Sequence, residues 1–342
     1  LDLLNSLKGV DFVLTAHDHR PAAIDNGDIC LVNAGSHCRN IGMGTITVKV
    51  ENGKVVSKVL DAELLPVDVR NVDEKMQELF HADFQAVKNF TLTEVGELKE
   101  DLRTSDAYRG MSDYLNLLHT LSLSCEPAQI SFAAPLTFDG EVKAGTVLYN
   151  DLFTIYPYEN QLFVVKMSGK EIKDYMEYSY DAWINTISSP KENLLKIQNR
   201  PDPRNGRERW SFKGTAYNFD SAGGLNYVVD VTKPYGERVI ITSLADGSIF
   251  SLEAEYNVAM TSYRASGGGD IMRKGAGIDT DRIGDRVVEY HPEIRNILYD
   301  YLKANGSIDP SIIGNPKVIG SWKFVPEGLA EKALDRDMGL LF

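Results

Sequence analysis

Two groups of residues in this chain have the types and spacing that site chemistry uses. The first is His17-X-His19 in the run VDFVLTAHDHR, flanking Asp18. Two imidazoles two residues apart on a loop can point toward neighbouring metal ions while the loop keeps the backbone close. The second group is divided between two segments. In YPYEN, Tyr158 offers a flat ring and Asn160 an amide with two donors and an acceptor. In TSYRASGGGD, Tyr263 is followed by Gly267, Gly268, Gly269 and Asp270. Glycines there let the backbone turn through φ > 0 and approach a ligand. On residue types alone each feature has an ordinary counterpart: a loop histidine pair, a packing tyrosine, a glycine-rich surface loop after a strand.

These residues need elements to hold them. Leu162 to Met167 is an apolar run rich in β-branched residues and reads as a buried strand. Ser168-Gly169 turns the chain into a helix whose apolar positions, Ile172, Tyr175, Met176, Ser179 and Trp183, share one face of a 3.6-residue repeat. A second strand carries Val258 and Met260 inward and ends at Tyr263. Upstream of His17, LLNSLKGV closes a helix and Asp11 to Thr15 reads as a buried strand. Asn26-Gly27 and Asn52-Gly53 mark two hairpin turns, the second within alternating Ile46, Val48 and Val50.

The spacing predicts a helix over Asn71 to Phe90, with a stripe of Val72, Met76, Leu79, Phe80 and Val87; its His81 reads as a surface or packing residue. A further helix packs through Tyr114, Leu115, Leu118 and Leu121, followed by a strand and turn in AQISFAAPLTFDGEVKAG. Glu192 to Gly214 is polar and Pro/Gly-rich and reads as a long surface loop with Arg200, Arg204, Arg207 and Arg209 in solvent. A strand and a hairpin through Asp246-Gly247 come next. The last helix has Pro292 near its start, Ile294, Ile297, Leu298, Tyr301 and Leu302 on one face, and Gly306 as its stop.

Bulk properties narrow the classes. A chain of 342 residues, 43% hydrophobic and 25% charged, has room for about two globular domains. Its net charge of −13 argues against a nucleic-acid polymer as partner, although metal or backbone amides can still hold a small phosphate ester. No apolar run is long enough to span a membrane. Cys30, Cys38 and Cys125 make no disulfide framework. The chain opens at Leu1 without a visible signal peptide, and the expectation is a piece of a longer protein whose leader lies elsewhere.

The run Leu152 to Tyr180 resembles the C-terminal domain of the 5′-nucleotidase family, and Tyr-Arg-Ala-X-Gly-Gly from Tyr263 resembles that family's base-binding segment. VDFVLTAHDHR resembles the last metal-binding motif of the calcineurin-like metallophosphoesterases, Gly-His-X-His, with Ala16 in place of the glycine. Leu136 stands where the 5′-specific branch has an arginine, so the resemblance favours the bacterial 2′,3′-cyclic-nucleotide 2′-phosphodiesterase/3′-nucleotidase branch.

The resemblance implies an α/β fold with mixed sheets. Residues 1–66 would be the C-terminal part of a metallophosphoesterase sandwich, 67–90 a linking helix that contributes to a hinge, and 91–342 the nucleotide-binding domain; a helix packed on one domain only is the alternative for 67–90. It implies two divalent ions (Mn, Zn, Mg or Ca) with His17 and His19 as ligands. The family's remaining metal motifs lie upstream, and only sixteen residues precede His17, so the site is expected to be incomplete in this chain.

It further implies a base stacked between Tyr158 and Tyr263, with Asn160 and Gly267 to Gly269 beside it and Asp270 accepting from an exocyclic amine. Nucleotides or nucleosides would be the partners and the periplasm or cell surface the location. A nucleotide-binding module without turnover is the competing expectation. A purely structural or adhesive surface protein is a third, which accounts for neither the paired aromatic loops nor the histidine motif.

Overall fold

The computed structural model describes residues 2–17, 19–68, 72–201 and 206–342; Asp18, Asn71 and Arg204 lie outside the described residues. The chain forms two compact units, Leu1–Gln85 and Ala86–Phe342.

In the first unit a short helix, Asp2–Ser6, precedes a three-stranded sheet. Strand Cys30–Asn33 lies in its middle, parallel to Phe12–Leu14 and antiparallel to Ala22–Asp25. The Asn26-Gly27 turn is fixed locally, because Asn26 Oδ1 accepts from the amides of Asp28 (3.1 Å) and Ile29 (2.8 Å). The long hairpin Asn40–Glu51/Lys54–Pro66 turns at Asn52 (φ 51°) and Gly53 (φ 72°), the paired left-handed conformation that Asn-Gly adopts most readily. Helix Glu74–Thr91, whose residues from Ala86 on fall in the second unit, forms where the 3.6-residue stripe places it, yet none of its residues is buried, and Met76, Leu79, Phe80 and Val87 are 50–73% exposed.

The second unit is built on a five-stranded mixed sheet in the order Ser221–Gly223, Ile130–Ala133, Glu255–Thr261, Gln161–Ser168, Val287–Glu293. Strand Gln161–Ser168 is apolar on both faces because both are covered. Val165 and Met167 point to one core with Ile172, Tyr175, Met176, Tyr180 and Trp183 of helix Gly169–Trp183. Leu162 and Val164 point to the other, with helices Asp113–Leu123 and Ile294–Asn305. Apolar residues on both faces, interrupted by the exposed Lys166, are what a sheet between two helical layers demands. Ser168 ends the strand and starts the helix through a capping box: its Oγ accepts from Glu171 N, and Glu171 Oε2 accepts from Ser168 N, a cap worth about 1 kcal/mol. Gly306 stops helix Ile294–Asn305 in the left-handed conformation, as its position in the sequence required.

Three expectations are corrected. The strand within Asp11 to Thr15 is not buried: Phe12 and Val13 are half-buried and Leu14 is exposed. Glu192 to Gly214 is not all surface loop: Ile197–Asn199 pairs with Trp210–Phe212, and Leu194, Leu195, Ile197 and Phe212 are buried. Apolar residues at both ends of the segment turn inward, while Arg200, Arg207 and Arg209 stay exposed near its tip. Asp246-Gly247 does not join two strands either. The hairpin is Leu225–Asp230 with Val239–Leu244, closed by residues 231–238. Asp246 instead binds its own turn, its Oδ1 accepting from Ser248 N at 2.8 Å.

Candidate functional site

Sheet register brings the aromatic loops to one place. Strands Gln161–Ser168 and Glu255–Thr261 are antiparallel, with Leu162 opposite Thr261. The loop leading into the first strand therefore meets the loop leaving the second, and these loops carry Tyr158 and Tyr263. Strand Ile130–Ala133 runs parallel to Glu255–Thr261, and Ser221 pairs antiparallel with Ala133. The segment just before Ser221, which contains Tyr217, arrives at the same end of the sheet.

Tyr158 and Tyr263 are open to solvent, 39% and 41% exposed. Neither touches the other's ring directly. Tyr217 lies between them in the contact chain, 6.1 Å from Tyr158 at 75° and 6.2 Å from Tyr263 at 82°, an edge-on arrangement in both cases. Partial burial pushes the Tyr158 and Tyr263 hydroxyls up, so both rings are neutral phenols at physiological pH. In the sequence, Tyr217 is marked only as an aromatic residue immediately before Asn218-Phe219-Asp220.

Two buried arginines hold the loops. Arg264 Nε and Nη2 each donate to an Asp220 carboxylate oxygen at 2.8 Å. The same guanidinium donates to Tyr217 O (2.8 Å), Asn218 Oδ1 (3.0 Å) and Gly268 O (2.6 Å), so every N–H is engaged. Burial opposes its charge, but the Asp220 carboxylate outweighs burial and holds its pKa above the ordinary value. Tyr175 Oη also donates to Asp220. Arg295 does the corresponding work on the first loop, donating to the carbonyls of Tyr156 (3.1 Å) and Tyr158 (3.1 Å) and lying over the Phe153 ring.

The remaining expected site residues sit as follows. Asn160 Nδ2 donates to Tyr156 Oη at 3.4 Å, and Asn160 O accepts from Ile294 N at 3.0 Å. Gly268 lies under the Tyr263 ring: a Cβ there would come within 2.4–2.5 Å of three ring atoms. Gly269 (φ 71°) faces Arg264 and Asn218 at equally short range. These glycines thus admit the protein's own side chains. Gly267 (φ 96°) turns the loop beside Thr280. Asp270 has φ 61° and is bound to Lys274 at 2.8 Å on the surface.

In the first unit His17 (φ 76°) and His19 (φ 58°) are both exposed and both left-handed, a conformation non-glycine residues adopt at a cost and often at functional sites. Among the described residues no three His, Cys, Asp or Glu side chains converge to hold a metal ion. Two imidazoles alone do not fit a two-metal centre. Among the described residues no helix is long and apolar enough to cross a membrane.

The chain is 30% identical over 201 residues to a 2′,3′-cyclic-nucleotide 2′-phosphodiesterase/3′-nucleotidase of Haemophilus influenzae, covering 54% of this chain and 27% of that protein. It is 24% identical over 377 residues to a trifunctional nucleotide phosphoesterase of Bacillus subtilis, covering 95% of this chain and 24% of that protein. It therefore spans about a quarter of the length of these two relatives. Among solved structures, a 5′-nucleotidase-type chain of Staphylococcus aureus, crystallised with alpha-ketoglutarate, matches at TM-score 0.64 and 22% identity, covering 92% of this chain and 56% of that one; this likeness concerns the fold. The model of the 5′-nucleotidase C-terminal domain matches residues 94–274, more than half of the chain and the segment that carries all three tyrosines and both loops. With that match the chain belongs to the 5′-nucleotidase C-terminal domain family.

Proposed function

We propose that this chain serves metal-dependent hydrolysis of nucleotide phosphate esters, of the 2′,3′-cyclic-nucleotide phosphodiesterase/3′-nucleotidase type, with its second unit holding the base. The observation that carries this reading is the delivery of Tyr158 and Tyr263 to one end of the central sheet by the Leu162–Thr261 register, both rings exposed. Each stacked face would contribute about 1–3 kcal/mol to binding. Asn160, Gly267, Gly268, Gly269 and Asp270 belong to the same two loops and form the rim in this proposal. His17 and His19 would hold part of a divalent-metal site completed by other residues of the whole protein, and the metal would supply Lewis-acid chemistry there. A periplasmic or cell-surface workplace goes with this reading.

A second reading is a nucleotide-binding module without turnover. It is favoured by the lack, among the described residues, of any third ligand converging with the histidines. Metal content by mass spectrometry, together with phosphate release from adenosine 2′,3′-cyclic monophosphate and adenosine 3′-monophosphate, separates the two. The expected result for the 342-residue chain is weak base binding with little or no hydrolysis. Rapid metal-dependent turnover by this chain would refute the module reading. Base binding that survives both Tyr158→Ala and Tyr263→Ala would refute the stacking role in either.

A further inference from the structure

We infer that Tyr217 is the third aromatic residue of the base site, a positioning residue whose ring keeps Tyr158 and Tyr263 apart and meets the edge of an inserted base. The inference rests on the proposal that those two rings stack on a base. Two walls that admit one flat ring must stand about 7 Å apart, twice the stacking distance of nucleic-acid bases. Exposed aromatic rings on neighbouring loops otherwise gain by closing on each other and removing apolar surface from water.

Tyr217 blocks that closure. It is near-perpendicular to both rings and almost equidistant from them, at 6.1 and 6.2 Å. Its backbone is anchored on Arg264 through its carbonyl at 2.8 Å, and its ring packs partly on the apolar core behind the site. The neighbouring Asn218 is held by the same guanidinium at 3.0 Å. The wedge is therefore carried by the buried Arg264–Asp220 pair and not by a free loop. Because it acts at the base end, it should act equally on a nucleoside and on its phosphate ester. Because the ring is what fills the space, phenylalanine should replace it.

Calorimetric titration of the full chain with adenosine and with adenosine 3′-monophosphate tests this, using Tyr217→Ala, Tyr217→Phe, Tyr158→Ala and Tyr263→Ala. Tyr217→Ala is expected to weaken both ligands at least fivefold and by the same factor, while Tyr217→Phe stays within twofold of the unaltered protein. Circular dichroism checks folding, and Tyr217→Leu takes the place of the alanine variant if that one does not fold. Tyr217→Ala or Tyr217→Leu binding within twofold of the unaltered protein, while Tyr158→Ala and Tyr263→Ala lose affinity, overturns the wedge and leaves the stacking proposal standing. A loss in Tyr217→Phe as large as in the alanine variant also overturns it, by assigning the effect to the hydroxyl. Unaltered affinity in all the variants, or no binding by the unaltered chain, defeats the stacking proposal and the wedge with it.

Discussion

Arg264 grips both carboxylate oxygens of Asp220 at 2.8 Å across 44 residues of sequence, with both side chains buried. This pair joins the segment before strand Ser221–Gly223 to the helical turn Ser262–Ala265 that carries Tyr263. Removing one partner of a buried pair leaves an uncompensated charge, which costs about 3–5 kcal/mol. Asp220→Ala and Arg264→Ala should each lower the urea midpoint accordingly, and the double variant should lose less than the two single losses together. Additive losses would show that the two groups do not act as a unit.

Gly268 offers a gentler perturbation of the same loop. Its φ is not in the left-handed region, so alanine is tolerated by the backbone, but the new methyl would lie 2.4–2.5 Å from the Tyr263 ring. The ring must move. Gly268→Ala should weaken adenosine binding at least threefold with a melting temperature within a few degrees of the unaltered protein. Unchanged affinity would show that the ring's position does not matter to the ligand.

His119 supplies a pH dependence. It is buried in helix Asp113–Leu123, its ring nitrogens within 2.9 Å of Ser131 Oγ and 3.1 Å of Ser221 Oγ, and burial lowers its pKa to about 3. The unfolded chain, with an ordinary histidine near 6.5, binds the proton first. Stability is therefore full above about pH 6.5 and falls as pH drops from there toward 3. In His119→Gln, the urea midpoint should vary less steeply with pH across this window. A slope identical to that of the unaltered protein would assign the acid sensitivity to other groups.

Asp337 runs the opposite way. It is fully buried; its Oδ2 accepts from Leu195 N at 2.8 Å, and burial raises its pKa to about 6. The folded state holds the proton that the unfolded state releases near pH 4, so this group's contribution is greatest in acid and is lost as pH rises through 6. Asp337→Asn can keep the acceptor for Leu195 N without a buried charge. It should gain about 1–3 kcal/mol at pH 7 and nothing at pH 4, measured by urea denaturation.

Much of this architecture is legible along the chain because it is set locally. A short β-branched apolar run marks strand Gln161–Ser168, the 3.6-residue repeat marks helix Gly169–Trp183, and Asn52-Gly53 names its own turn. Segments that depend on distant partners were not legible. Leu194, Leu195 and Phe212 look like minor interruptions of a polar loop until the core they enter is known. Tyr217 and Arg264 likewise owe their importance to neighbours about 45 residues away. The Gly267 to Gly269 run was visible as a place of close approach, but which body approaches it, a ligand or Tyr263 and Arg264, depends on three-dimensional packing.

With its five donors already committed to Asp220, Asn218 and two carbonyls, Arg264 has no N–H left for an incoming anion. The guanidinium beside the Tyr263 ring is thus spent on architecture. In the proposed site, a nucleotide's phosphate tail would have to be neutralised by groups other than Arg264, and salt should leave the aromatic end indifferent.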